Sequence, residues 1–223
     1  CTRVLAKRYR GARVFGLDIV TPMLRYARRN SGWFGSKCYV AGNVETLPLS
    51  TGSVDLVVSN LALPWCDATA AFAEFLRVLR PGGLLMFTML GPDTLQELRA
   101  AWSGIDAHTH VHGFFDMHDL GDALVRAGYG DPVMDVERLT LTYPNVRALL
   151  HEIQALGAHN VTHGRARGLT GRHRFAKFIA TYETQARNDR IPASVEVVYG
   201  HAWGRAQVSR APDSNRRVIW LKS

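Results

Sequence analysis

The chain has 223 residues, 47% of them apolar, which is enough to bury a core and favours one domain with room for an insertion. Its longest mainly apolar stretch, Leu84 to Leu90, is far shorter than the roughly 20 residues of a membrane span, and no signal-peptide pattern opens the sequence. The net charge of +8 fits a negatively charged partner or merely a well-solvated surface, and composition does not choose between them.

The cysteines limit the redox setting. Cys1, Cys38 and Cys66 are odd in number and lack the spacing of metal ligands. We therefore expect free thiols in a reducing compartment, which favours a cytoplasmic protein, and we expect no zinc site.

Strands and helices alternate in the order that builds an α/β fold, a mostly parallel sheet with helices on both faces. Strands are predicted at residues 12–17, 37–41, 54–59, 84–89, 133–143 and 194–204. Helices are predicted at residues 2–9, from a Thr21 cap onward, at 68–79 before the 81–83 break, and from an Asp116 cap to Gly128.

The pattern changes between the last two strands. Residues from about 144 to 191 contain two amphipathic helices, joined by a loop rich in Gly, Arg and His. We interpret this segment as a helical insertion within a single domain that spans residues 1–223. The basic excess of the chain is concentrated there, with Glu152 as the one acid between Val146 and Phe178.

Asp18 is the first candidate ligand-binding residue, because it ends a predicted strand and ligands of open α/β sheets bind at the carboxyl ends of strands. A carboxylate at a strand end can accept hydrogen bonds from both hydroxyls of a ribose. Taken alone, Asp18 is more simply an acid that stabilises the dipole of the following helix.

Four segments together change that interpretation: Phe15 to Ile19, Ala41 to Pro48, Val54 to Val57 and Leu76 to Gly83. In this order and at these intervals they resemble the successive motifs of the class I methyltransferases, which use S-adenosyl-L-methionine and have a Rossmann-like sheet with an antiparallel edge strand. Each segment is weak evidence, whereas the ordered set is specific.

The resemblance implies roles for individual residues at the cofactor. Asp18 would bind the ribose and Ile19 would pack on the adenine, while Asn43 and the Val44 backbone N–H would recognise the adenine edge. Asn60 and Leu61 would line the methionine end. Asn43 replaces the commoner aspartate, so we expect recognition of adenine to be weakened. It should not be abolished, because the Asn43 amide oxygen can still accept from the adenine amine.

This family places a first, central strand and a glycine-rich loop before the helix that begins here at Thr2, and neither is in these residues. We therefore expect the 223 residues alone to bind cofactor poorly, to expose an unpaired strand edge, and to need tens of residues upstream.

The segments 89–99, 110–122, 156–161 and 164–165 resemble the BioC family, the methyltransferases of biotin synthesis, with similarity over essentially the whole chain. That resemblance implies methylation of the free carboxylate of malonyl-acyl carrier protein, or of malonyl-CoA, which primes pimeloyl synthesis. A carboxylate is already nucleophilic at neutral pH, so no catalytic base is expected, and none is found among the motifs.

The substrate still needs groups that hold it. Our candidates are Arg165, His110 and His112, although a solvated arginine and ordinary surface histidines are comparable alternatives. Trp65 either lines the substrate channel or belongs to the core. Four basic residues are candidates for docking the acidic carrier protein, the alternative being a solvated helix face: Arg167, Arg172, Arg174 and Lys177.

Two other functions stay open at this stage. The segments 143–145, 156–158 and 191–194 also resemble a complex I assembly protein that uses a methyltransferase fold to hydroxylate arginine, although segments 91–94 and 110–122 favour the biotin enzymes. The positive charge would suit a nucleic-acid methyltransferase or binding protein. Against it, no base-gripping motif follows Asn60, so we expect no binding of nucleic acid. We also expect a monomer that binds no membrane.

Overall fold

The computed structural model describes residues 1–32, 37–106, 108–110, 113–155 and 171–205. Helices and strands alternate through most of this chain, as the sequence predicts. The helices are α1 Thr2–Arg8, α2 Thr21–Arg29, α3 Ala68–Val78, α4 Gln96–Ser103, α5 Met117–Ala127, α6 Val146–Ala155 and α7 Arg172–Glu183. The strands are β1 Val14–Asp18, β2 Lys37–Ala41, β3 Val54–Asn60, β4 Leu79–Leu90, β5 Tyr129–Tyr143 and β6 Ile191–Gly204.

The strands pair in two ladders. β1 and β2 form a parallel pair, and the other strands form a four-stranded sheet in the order β3-β4-β6-β5. The predicted α/β class is confirmed, but the antiparallel strand, β6, lies between β4 and β5 and not at the edge. The reason is burial: Ala193, Val198 and Ala202 make β6 suitable for the interior, whereas exposed residues dominate the second half of β5.

No ladder joins β1 to β3 within the described residues. The break falls where the sequence analysis places the absent central strand. The two ladders are nevertheless connected, because the segment that follows β2 is hydrogen-bonded to α3 through Leu47 and Glu45. The carboxyl ends of β1, β2 and β3 thus remain tied to one helix.

Two hydrophobic clusters stabilise the described chain. The main core packs α3 and α5 on one face of the four-stranded sheet, with Phe72, Leu85, Phe87 and Leu124 at most 3% exposed. The second cluster joins α4, α6 and α7 to the start of β6, and we call these three helices the cap. Its central side chains are Trp102, Leu149, Phe178 and Tyr182.

The cap contains the two helices that were expected in residues 144–191, α6 and α7. It also contains α4, which the sequence did not predict, because α4 begins after Leu95 in a left-handed conformation (φ 56°) and has no side-chain cap. No helix within the described ranges has the length and apolar character that a membrane crossing requires.

Several ends differ from the sequence predictions. Thr21 does not cap α2 but is its first residue, since Val20 holds the N-cap position without a side-chain bond. By contrast, Asp116 caps α5 through His118 N, and Gly128 ends α5 at φ 100°, both as predicted. β4 starts earlier than expected, because Val54 pairs with Leu79 before the ladder shifts to Leu56 and Leu84.

Gly200 offers a test of the main core. A Cβ at this position would clash with the ring of Phe87, which is itself buried. We expect Gly200→Ala to destabilise the protein by roughly 1–3 kcal/mol, measured by urea unfolding, because overpacked cores shift their neighbours. Gly130→Ala is the matched control, since its nearest neighbour would be Trp203 O at 3.8 Å. Equal midpoints for the two variants would contradict this packing.

Candidate active site

Asp18 and Asn43 lie at neighbouring strand ends. Asp18 is paired with Ala41 in the parallel ladder, and Gly42 N donates to Asp18 O at 3.2 Å, so Asn43 follows directly beyond the pairing. Adjacent strands are about 4.8 Å apart, which places the two side chains on one short stretch of sheet edge. This is the arrangement that recognition of one nucleoside from both ends requires.

The Asp18 carboxylate is half-buried and accepts one hydrogen bond, from Val20 N to Oδ1 at 2.8 Å. A carboxylate has several further lone pairs, so it can still accept from ribose hydroxyls. Ile19 beside it is 69% exposed, which is unusual for an isoleucine next to a sheet. The pair therefore presents an acceptor and an apolar surface side by side.

Asn43 is held in a tight turn. Its Oδ1 accepts from Glu45 N at 3.0 Å, and its backbone carbonyl accepts from Thr46 N at 3.2 Å. One lone pair of Oδ1 is left for an incoming amine. The Val44 side chain packs against the main core.

Helix α3 fixes this loop through Glu74 and Arg77, a pair that the sequence analysis missed. Glu74 Oε2 accepts from Leu47 N at 2.6 Å, and Arg77 donates to Leu47 O at 2.9 Å and to Leu49 O at 2.8 Å. The two side chains also bond each other, with Arg77 Nε 2.7 Å from Glu74 Oε1. Their spacing on one helix face was the available signal, since i,i+3 charges are neighbours.

The Arg77 hydrogen bond holds the pKa of Glu74 below its usual value of 4.5, and the bond from Leu47 N acts in the same direction. A lowered folded-state pKa stabilises the fold at pH values above that ordinary value. The contribution of Glu74 is lost as the pH falls through the lowered pKa, so the loop should loosen only in acid.

Asn60 ends β3, and both Asn60 and Leu61 are hydrogen-bonded to Thr88 of β4. Thr88 Oγ1 donates to Asn60 Oδ1 at 3.0 Å and accepts from Leu61 N at 3.1 Å. Leu61 adopts φ 52°, a conformation that costs free energy in a residue other than glycine, and its side chain is 39% exposed. Thr88, a further residue that sequence reasoning missed, therefore sets the geometry of this turn.

The segment after Leu61 contains Trp65 and Cys66. Trp65 is 55% exposed in the 3₁₀ turn Leu63–Trp65, so the interpretation of Trp65 as a core residue is wrong. Cys66 is half-buried, and burial raises the pKa of its thiol to about 11, with the nearby carboxylates of Glu45 and Asp67 adding to the effect. At neutral pH this thiol stays protonated and is a poor nucleophile.

The His110 side chain is engaged by neighbouring residues of the protein. Its ring stacks on Trp102 with centroids 3.8 Å apart, and Trp102 stacks in turn on Phe178 at 4.4 Å. His110 Nε2 lies 2.7 Å from Asp106 Oδ1, and this partner lowers the pKa of the Asp106 carboxyl. The structure thus places His110 in the packing of the cap, whereas His112, Arg165 and Arg167 lie outside the described residues.

The remaining docking candidates are exposed on α7, on two flanks of the helix. Arg172 lines a groove of about 350 Å³ with Arg147, whose guanidinium lies 5.8 Å from the centre of the Phe175 ring. Lys177 reaches towards Gly104 O at 3.5 Å, and Arg174 is its i,i+3 neighbour. Arg147 belongs to the basic excess of the predicted insertion, although it was not among the four docking candidates.

The residues at the strand ends fit an adenosine-containing cofactor. They combine a carboxylate, two amides and exposed apolar side chains, at Asp18, Asn43, Asn60, Ile19 and Leu61. A ribose, an adenine edge and an aliphatic chain are the matching chemical groups. Within the part of the chain that the structure describes, no group of three or more metal-ligating side chains comes together.

Comparison with known proteins agrees with this fit. A family model described as a methyltransferase domain matches residues 1–87. A crystal structure from Bacillus halodurans C-125, of a protein itself named a methyltransferase only provisionally, superposes with a TM-score of 0.64 at 15% identity. It covers 92% of this chain and 87% of the other, and so supports the fold alone. The fold and the matched methyltransferase domain together define a class I methyltransferase.

Curated relatives narrow the class. The malonyl-acyl-carrier protein O-methyltransferase of Gallionella capsiferriformans is 50% identical over 90% of this chain and 72% of its own length. The protein of the same name from Laribacter hongkongensis is 49% identical over 97% of this chain and 76% of its own length. The chain belongs to the malonyl-acyl-carrier protein O-methyltransferase family.

Arg77 provides a test of how the loop is positioned. We expect Arg77→Ala in the full-length protein to weaken S-adenosyl-L-methionine binding about tenfold by calorimetry, because several hydrogen bonds that hold the Asn43 loop are lost together. Arg80→Ala is the control, as its one ion pair among the described residues is with the exposed Asp55, at 2.6 Å. A similar loss of affinity in both variants would show that the loop does not depend on Arg77.

Proposed function

We propose that this chain transfers a methyl group from S-adenosyl-L-methionine to the free carboxylate of a malonyl group carried on acyl carrier protein. The observation that carries the proposal is the juxtaposition of Asp18 and Asn43 at adjacent strand ends, in a chain that belongs to this family. The product, a malonyl methyl ester, would prime pimeloyl synthesis on the way to biotin.

The bound cofactor supplies an electrophilic methyl group on a positively charged sulfur. The chain's own residues then have three tasks: to hold the nucleoside, to position the malonyl carboxylate, and to exclude water. Asp18 and Asn43 would serve the first task, and the strained Asn60-Leu61 turn would position the methionine end. No side chain needs to remove a proton, because the malonyl carboxylate is ionised at neutral pH.

Other nucleophilic side chains near the site must not react with the methyl donor. Cys66 follows the Asn60-Leu61 turn by a few residues, and its thiol stays protonated because its pKa is raised to about 11. The protein would thus protect the methyl donor from its own cysteine without an additional residue.

Arg165 and His112 remain our proposed ligands for the malonyl carboxylate, on their chemistry alone, since both lie outside the described residues. Trp65, exposed beside the Asn60-Leu61 turn, is proposed to wall the substrate channel. His110 would act through the packing of the cap, because its ring is stacked and its Nε2 is engaged by Asp106.

The basic flank of the cap is the proposed docking surface for the carrier protein, which is strongly acidic. Arg172, Arg174 and Lys177 are exposed on α7, and Arg147 adds a cation from α6. Complementary charge raises the rate of encounter and orients the partners, and salt should weaken the effect. Arg167 is proposed as a further member of this surface.

The remaining features are weaker proposals. The free cysteines, Cys1, Cys38 and Cys66, support a reducing compartment and hence the cytoplasm. A monomer that binds no nucleic acid stays our expectation, as does one domain with an insertion at about 144–191. The curated relatives favour neither arginine hydroxylation nor nucleic-acid methylation, because the names they print specify malonyl-acyl-carrier protein.

Asp18 tests the cofactor assignment. We expect Asp18→Ala in the full-length protein to weaken S-adenosyl-L-methionine binding roughly 10- to 100-fold by calorimetry, because charge-assisted hydrogen bonds to the ribose are lost. Asp55→Ala removes an exposed aspartate whose partner within the described part of the chain is Arg80, and it should leave binding unchanged. Unchanged affinity in Asp18→Ala would remove the ribose assignment.

Charge reversal on α7 tests the docking surface. We expect Arg172→Glu with Arg174→Glu to raise the KM for malonyl-acyl carrier protein at least about tenfold at low salt, and to leave the KM for malonyl-CoA within about twofold. The measurement is transfer of labelled methyl groups, with tRNA and DNA as control substrates. Identical shifts for the two malonyl substrates would argue against protein docking at α7.

A further inference from the structure

A polar cavity of about 580 Å³ lies between the cap and the carboxyl end of the four-stranded sheet. Its walls come from the start of α4, the end of α7, the second half of β5 and the beginning of β6. Because β6 runs antiparallel to β4, its beginning lies at the same edge of the sheet as the Asn60-Leu61 turn. The volume is in the range of about 300–1,000 Å³ that small-molecule sites occupy.

The charged groups of the cavity wall are already engaged in hydrogen bonds, with one arginine shared between two of the three carboxylates. Arg138 bonds Asp93 at 3.2 Å and Glu196 at 3.0 Å, and Glu97 accepts from both the backbone N–H and the hydroxyl of Ser194. A ligand that carried a strong charge deep in the cavity would have to compete with these pairs. The wall is therefore suited to an uncharged, hydrogen-bonding chain.

Uncharged groups on the wall offer both donors and acceptors. The amide nitrogens of Gln96 and Gln185 are bonded to Ser194 Oγ and Glu97 O, which leaves the two side-chain oxygens available as acceptors. Thr184 donates to Thr181 O and can still accept, while the Thr140 hydroxyl has no partner within the described residues. Alternating acceptors and donors of this kind match secondary amides and a hydroxyl.

A cation stands at the rim. Arg187 begins a tight turn in which Asn188 and Asp189 both take left-handed conformations, at φ 49° and 56°. Its guanidinium is exposed, and no side chain among the described residues pairs with it. The cavity therefore has an interior whose charged groups are already hydrogen-bonded and an exposed arginine at its rim, which suits a ligand with an amide-rich body and an anionic end.

We infer that this cavity binds the 4′-phosphopantetheine arm that presents the malonyl thioester. The arm has a phosphodiester at one end, then a hydroxyl, two amides and the thioester, which is the order that the rim and the walls would recognise. The inference rests on the proposed function, since it assumes a malonyl thioester as the substrate. The arm is common to acyl carrier protein and coenzyme A.

The test fills the cavity in the full-length protein and measures binding of 4′-phosphopantetheine by calorimetry, without any methyl transfer. Thr140→Trp and, on the opposite wall, Thr184→Trp should each weaken binding at least tenfold, and Arg187→Ala about tenfold. Val133→Trp places the same ring on the same strand outside the cavity, where Val133 is 51% exposed, and should bind as the wild type does. Absence of wild-type binding, or equal affinities in Thr140→Trp and Val133→Trp, would overturn the inference.

Methyl transfer separates this inference from the proposed function. Thr140→Trp should raise the KM for malonyl-acyl carrier protein and malonyl-CoA, and spare malonyl-N-acetylcysteamine, which lacks most of the arm. Failure of the wild type to methylate any of these thioesters would reject the proposed function, whereas equal KM increases for all of them would reject the cavity assignment alone. The wild-type ratio of kcat/KM for the first two substrates identifies the preferred source of the arm.

Discussion

Glu196 is a carboxylate that the fold removes from water, with 4% of its surface exposed, and the site end of the sheet is organised around it. A buried carboxylate is tolerated only when its oxygens are hydrogen-bonded. Here Oε2 accepts from Asp93 N and Oε1 from Arg138, so one side chain links β6 to the loop after β4 and to β5. Gly91 is part of the arrangement, because a Cβ there would lie 2.5 Å from Glu196 Oε2.

A similar acid–arginine pair lies beside the proposed cofactor site. There the Glu74–Arg77 pair projects from α3 and bonds the backbone of the loop that follows β2. In both places an acid and an arginine are bonded to each other and to loop backbone, so the charge is compensated while a strand end is fixed in position. The Glu196–Arg138 pair fixes the end of the sheet beside the proposed substrate cavity, and the Glu74–Arg77 pair fixes the loop beside the proposed cofactor site.

Sequence periodicity was sufficient for elements whose burial follows a regular repeat. It predicted α3, α5, α6 and α7, and it placed β2 with its observed bounds, because apolar spacing and capping residues such as Asp116 agree there. It missed α4, whose start depends on the left-handed Leu95 and on tertiary packing against α7. It also misplaced β6, because the order of strands in a sheet depends on which neighbours bury a strand and not on the strand's own pattern.

The candidate site shows the same division. Asp18 was predictable because strand ends in α/β folds point to ligands, whereas Asn43 and Asn60 followed from the resemblance to methyltransferases. The pairing of Asp18 with Ala41 does place Asn43 at the neighbouring strand end. Thr88, Glu74 and Arg77 were not, since each acts on a backbone group that is distant in the sequence. His110 illustrates the converse error: a histidine in a polar loop looks like a ligand, yet its ring is stacked against Trp102 and belongs to the packing of the cap.

The chemistry explains why binding energy should come from far beyond the reacting atoms. A malonyl carboxylate gripped by a strong cation becomes a poorer nucleophile, so the site gains little from holding that group more tightly. A cavity of about 580 Å³ beside the strand ends, whose interior arginine, Arg138, is already shared between Asp93 and Glu196, avoids that conflict. Contacts to a long amide chain can then position the thioester while leaving the carboxylate free to attack, which is the expected division of labour in an enzyme without a catalytic base.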